Sequence, residues 1–216
     1  MYLAKTNVEV KNDRSAIFPA DIDNGDKYFV SPITGELIVI PNDAWGDRDA
    51  QDTLLFRGIS VDHAKTPPPF DPVSASPPLW GAHTSAPRSQ SIWLHMSLPA
   101  ISLMTRFMAL SKIAMHVSEL PIFREPLPFR QASLHLIKFT EDHPRSCLTT
   151  SFHQAAYLVR SGIPCAITIG VWIPTIYMHA WTTTIDNELV NTSERLVSDN
   201  RDKIAHYQPA LRFVLP

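Results

Sequence analysis

The chain has 216 residues, 44% of them hydrophobic, with a formal charge of −2. That is enough apolar material for a core in one domain or two small ones, and the near-neutral balance gives no reason to expect nucleic acid as the main partner. Two cysteines without a CxxC pair, an N-terminus (MYLAKTNVEVKNDR) with no apolar secretory stretch, and nine scattered histidines without zinc spacing point to free thiols in the cytoplasm and to no metal site.

In chain order, LAKTNVEV alternates apolar and polar residues, and SAIFPADI and KYFVSP are short apolar-rich runs. DIDNGDK between the last two has hairpin-turn chemistry. TGELIVI follows, and DAQDTLLFRGIS reads as a helix with Asp49 or Asp52 available to cap it. Residues 1–64 thus form a small unit of strands and short helices, with a core small enough to lean on a partner. Seven of the nineteen prolines lie between Lys65 and Ser91. Each proline ring removes a donor and restrains its neighbour, so residues 65–90 are expected to be an exposed connector.

The C-terminal unit, residues 91–216, opens with SIWLHMSLPAISLMTRFMALSKIAMHVSEL. Leu103, Phe107, Leu110, Ala114 and Val117 recur at helical spacing, and Ile101, Met104, Met108 and Met115 give a second apolar face. The pattern predicts a largely buried helix. Arg106 and Lys112 interrupt it before the roughly 18–20 uncharged residues of a membrane span accumulate.

RSCLTTSFHQAAYLVRSGIP carries the chemistry. Ser146 is a good N-cap and puts Cys147 at the first helical position, while Gly162 and Pro164 stop the helix. A thiol there faces free backbone N–H groups and the positive end of the helix dipole, which favour thiolate. Free cysteine is also among the most buried residue types, so position alone leaves a structural role open. CAITIGVW is a β-rich run in which Cys165 reads as core; MHAWTTTI is a second strand, and ELVNT a third after the turn Asp186-Asn187. A cysteine nucleophile needs a base to hold its proton and later protonate a leaving amine, and His179 on the second strand suits that role. A lone His beside Trp181 is otherwise an ordinary half-buried residue.

CLTTSFHQAAYLVRSGIPCAITIGV and YMHAWTTTIDNELVN resemble the leader peptidases of lasso-peptide biosynthesis, a bacterial branch of the transglutaminase-like, papain-related cysteine hydrolases. The shared pattern is Cys-Leu opening a helix, a basic residue before Gly-Ile-Pro, a strand ending Ile-Gly-Val, His-Ala-Trp, then a hairpin with Val-Asn. It covers Cys147 to Asn191, about a fifth of the chain. The resemblance implies an α+β protein with a small winged-helix-like leader-recognition domain in 1–64, fused to a transglutaminase-like cysteine peptidase domain in 91–216. It implies Cys147 as nucleophile and His179 as general base and acid. It also implies an antibiotic-biosynthesis role, with the leader of a precursor peptide as substrate. The partner would be an ATP-dependent, asparagine-synthetase-like cyclase, leaving no cofactor to this chain.

The third catalytic position departs from the family. Family members place Asp after Val-Asn, where this chain has Thr192; counted from the histidine, Asn191 lies at the usual separation. An even hairpin loop pairs 184 with 189 and brings Thr192 to the His179 face with Glu194 opposite His179; an odd loop turns Asn191 inward. The leader is expected to add a strand to an exposed sheet edge along Lys27, Tyr28, Phe29 and Val30. Two alternatives remain open: a transglutaminase-like acyltransferase or amidase, and a non-catalytic leader-binding module.

Overall fold

Residues 15–17, 20–21, 25–59, 86–172, 177–186, 189–190 and 207–216 are described by a computed structural model. Four strands form the main sheet in the order β1 (Ser15–Ile17), β7 (Gln208–Leu215), β5 (Cys165–Trp172) and β6 (Tyr177–Thr184), antiparallel throughout. CAITIGVW is apolar along nearly its whole length because β5 is an inner strand covered on both faces. Cys165, Ile167, Ile169 and Val171 enter the main core, while Trp181 packs with Leu189 and Tyr207 in a second cluster. β7 is absent from the expectations above. Its run QPALRFVL is apolar but starts with a polar residue and a proline, and its place between β1 and β5 is set by pairing across the whole chain.

The helices α2 (Arg88–Phe107), α3 (Leu110–Ser118) and α4 (Phe129–Asp142) pack around α5 (Cys147–Arg160). Every residue of α5 from Ser151 to Val159 is buried, as expected of a helix enclosed by helices on some sides and a sheet on another. α4 also has no counterpart in the sequence reading; it buries Ala132, Leu136 and Phe139.

The single buried helix expected from residue 91 is two helices, and the first begins at Arg88, inside the expected connector. Met108 and Ala109 are extended, and the first N–H groups of α3 leave the helical ladder. Ser111 donates to the Pro32 carbonyl at 2.9 Å and Leu110 to that of Ile33 at 3.3 Å, so a turn from the N-terminal unit satisfies them. The break also rotates the apolar faces. α2 buries Leu94, Leu98 and Ile101, leaving Leu103 and Phe107 exposed.

In the N-terminal unit, β2 (Ala20–Asp21), β3 (Lys27–Val30) and β4 (Leu37–Ile40) form an antiparallel sheet in that order. The expected edge strand is therefore the middle one. Ala20 and Asp21 pair with Tyr28 and Lys27 on one side, and β4 takes the other, so these backbone groups are not open to an added strand. Phe29 and Val30 are fully buried. The helix α1 (Arg48–Phe56) starts after Asp47 rather than at Asp49 or Asp52. Phe29, Val30, Ile40, Leu54 and Ile59 share one apolar cluster with Leu110, Ile113 and the α5 side chains. The expected units 1–64 and 91–216 thus meet in a common core, and β1 extends the C-terminal sheet. LAKTNVEV and most of the proline-rich segment lie outside the described residues. Among those described, no helix is long and apolar enough to cross a membrane.

Candidate active site

Ser146 caps α5 as its sequence predicts: its hydroxyl accepts from the Thr149 N–H at 3.3 Å and donates to the Thr149 hydroxyl at 3.0 Å. Cys147 is therefore the first helical residue, half-buried against the core. Its N–H lies outside the helical ladder, as the first donors of any helix do, and is left to whatever occupies the space before it. The other cysteine differs in every respect. Cys165 is fully buried, its thiol points at the Ala155 carbonyl at 3.8 Å, and burial pushes its pKa up to about 12. It is a protonated core residue.

Two contacts align α5 with β6. The Thr182 hydroxyl donates to the Ser151 carbonyl at 3.0 Å, and Cys165, which pairs with Thr184, reaches Ala155. Helix and strand therefore run side by side in the same direction. One turn back from Ser151, about 6 Å, is Cys147; three residues back from Thr182, about 10 Å, is His179. Both stand at the same end of the helix–strand layer.

Alternation along β6 sets the surroundings of His179. Thr182 faces α5, so His179 and Trp181 share the other face. There the His179 ring lies 6.3 Å from Trp181 and 5.5 Å from Tyr207, and Tyr207 also touches Trp181 and Trp172 at 6.3 and 6.0 Å. Gly170, directly opposite His179 on β5, leaves the space that Trp181 fills. Burial lowers the His179 pKa, so the ring is neutral and able to accept a proton at neutral pH. The Tyr207 pKa is pushed upward by burial, then by the charges of Cys147 and Tyr177. No hydrogen bond joins Cys147 to His179 among the described residues: the imidazole leaves β6 on the face away from α5, so the structure brings the two to one end of the layer without joining them.

Residues 131–212 match the family model of the transglutaminase-like superfamily. The chain carries a transglutaminase-like domain. It runs from α4 to β7 and holds Cys147, His179 and Tyr207, whereas the small N-terminal sheet lies outside it. No curated protein and no solved structure matches the chain.

Asn191, Thr192 and Glu194 lie outside the described residues. The hairpin leading to them is described at its start: Thr183 bridges Leu189, and the Val190 N–H donates to the Thr182 carbonyl at 2.9 Å. Five residues, 184 to 188, lie between the bridged pair, so at this point the loop is odd. Tyr207 is the site residue that the sequence did not disclose. It precedes a strand that the sequence did not reveal, and nothing in HYQPALRF marks it as a neighbour of His179. Among the described residues no group of three or more His, Cys, Asp or Glu side chains is placed to hold a metal ion.

Proposed function

We propose that the protein is a cysteine peptidase that removes the leader of a lasso-peptide precursor. The observation that carries this reading is the capped start of α5, which sets Cys147 at the same end of the layer as His179 inside a transglutaminase-like domain. His179 takes the thiol proton, and the thiolate attacks the carbonyl carbon at the leader–core junction. The carbonyl electrons move to oxygen, next to the Cys147 N–H, and return as the core's amine leaves with the proton from His179. Water then releases the thioester. The freed core passes to an ATP-dependent, asparagine-synthetase-like cyclase.

The leader would dock along β4. This strand is paired on one side only among the described residues, its sequence Leu37-Ile38-Val39-Ile40 carries no charge to discourage strand addition, and Val39 is exposed. Lys27, Tyr28, Phe29 and Val30 then support that edge from the neighbouring strand instead of meeting the leader backbone.

Mass spectrometry of a candidate precursor, incubated with the protein alone and with its cyclase, tests the reading. Free leader and core are expected from wild type and Cys165→Ala, and neither from Cys147→Ala. Transfer of the acyl group to an added amine would identify an acyltransferase. Leader binding without any Cys147-dependent product would identify a binding module.

A further inference from the structure

Three hydroxyls tie the start of α5 to the last turn of α2. Ser146 donates to the Thr149 hydroxyl at 3.0 Å, the Thr149 and Thr105 hydroxyls lie 3.0 Å apart, and Thr105 donates to the Ser102 carbonyl at 3.1 Å. Each hydroxyl carries a single hydrogen. Those of Ser146 and Thr105 are committed at the two ends, so the middle bond runs from Thr149 to Thr105. The bonds therefore form one directed relay, Ser146 to Thr149 to Thr105 to the Ser102 carbonyl, and bonds aligned in this way strengthen one another.

The first member of the relay adjoins the proposed nucleophile in the chain. Ser146 also accepts from the Thr149 N–H at 3.3 Å, so two bonds hold its side chain to Thr149. Its backbone ψ of 149° sets the orientation of the peptide plane that carries the Cys147 N–H. Thr149 is buried, at 4% exposure, so a hydroxyl hydrogen that lost Thr105 would find no bulk water to replace it. It would turn to the Ser146 oxygen and compete there with the Thr149 N–H on which the cap depends.

We propose that Thr105 is a positioning residue: through Thr149 and Ser146 its hydroxyl fixes the peptide plane whose N–H holds the oxyanion formed when Cys147 attacks a carbonyl. The inference rests on Cys147 being the nucleophile but not on the identity of the peptide. In the step concerned the S–C bond forms and the carbonyl π electrons move to oxygen, in front of that N–H. They return as the bond to the leaving group breaks, and an acyl-thioester remains on Cys147. Thr105 acts through α5 and exchanges no proton with the reacting atoms.

Two small probes of the intact protein separate positioning from a purely structural role. p-Nitrophenyl acetate acylates a thiolate through a tetrahedral oxyanion and expels nitrophenolate; iodoacetamide alkylates it by displacing iodide, with no oxyanion. Rates are taken as the Cys147-dependent part, in a Cys165→Ala background. Thr105→Val keeps the shape of the side chain and removes the hydroxyl. It should slow acylation roughly fivefold to tenfold and leave alkylation within about twofold, whereas Thr105→Ser should bring acylation back to within about twofold of the starting rate. Thr149→Val breaks the middle link and should show the same selective loss, which decides the matter where Thr105→Val does not fold. Unchanged acylation in these valine variants would overturn the proposal. So would an equal slowing of both reactions, which would mean that the hydroxyl supports the thiolate or the local fold, or a serine no better than valine. A Cys147 inert to both probes with Thr105 in place would instead remove the nucleophile, and with it both the peptidase reading and this role.

Discussion

At the scale of single residues, the site depends on a glycine as much as on its thiol and imidazole. A Cβ at Gly170 would come within 2.6 Å of the Trp181 ring and 3.0 Å of the Gln208 carbonyl. Backbone does not yield, so Trp181 must move, and Trp181 lies against both His179 and Tyr207. Gly170→Ala should therefore cost about 1–3 kcal/mol by overpacking, measured by denaturant unfolding. It should also lower the acylation rate of Cys147, whereas an alanine in open space would change neither. An unshifted midpoint with unchanged acylation would show that Trp181 is not held as described. That Gly170 belongs to the site was not legible from the sequence. Ile-Gly-Val reads as an apolar strand, and its need for a missing side chain arises from a tryptophan on the next strand.

At the scale of elements, the hairpin after β6 decides which side chain faces His179. The bridge from Thr183 to Leu189 has the parity of an odd loop. A ladder that kept this register would set residue 191 opposite Trp181, on the His179 face, and turn residue 192 away. Asn191→Ala is then expected to slow turnover by roughly tenfold, through loss of a neutral bond that orients the imidazole, and Thr192→Ala to leave it nearly unchanged. The reverse ranking, or a dominant effect from Glu194→Gln, would mean that the register shifts beyond Val190. Sequence alone left both parities standing, because turn residues favour a loop without fixing its length.

For the molecule as a whole, pH reaches stability through the helical layer. His153 is buried in α5 between Trp93 and Phe139, with its Nε2 at 3.1 Å from the Leu94 carbonyl and 3.0 Å from the Ser97 hydroxyl. Burial lowers its pKa from 6.5 to about 4, opposed by the Leu94 bond and reinforced by His143 and His95. Between those values the unfolded chain binds a proton that the folded chain refuses. Stability is thus complete above about pH 6.5 and falls as pH drops towards 4, by on the order of 3 kcal/mol from this residue. His135 and His179 shift in the same direction and add to the trend. Urea unfolding at pH 7, 5.5 and 4.5 should show it, and His153→Gln should flatten the slope. A wild-type midpoint constant over that range would contradict the buried, neutral state of His153.

The features legible from residue order alone are those that neighbours along the chain decide. Ser146 caps the helix that Cys147 begins, Gly162, at φ +69°, ends it, and the runs 165–172 and 178–185 give strands within one residue of those observed. These depend on capping, backbone conformation and side-chain alternation, each complete within a few residues. The remaining features depend on groups far apart in the chain and became visible only in the folded molecule. Pro32 and Ile33 supply the carbonyls that let α3 start afresh at Leu110. β2 closes over the strand expected to be an edge, and Tyr207, just before β7, packs its ring against His179 on β6. No periodicity encodes such meetings, because they arise from packing one buried face against another, and that face is chosen only when the whole core assembles.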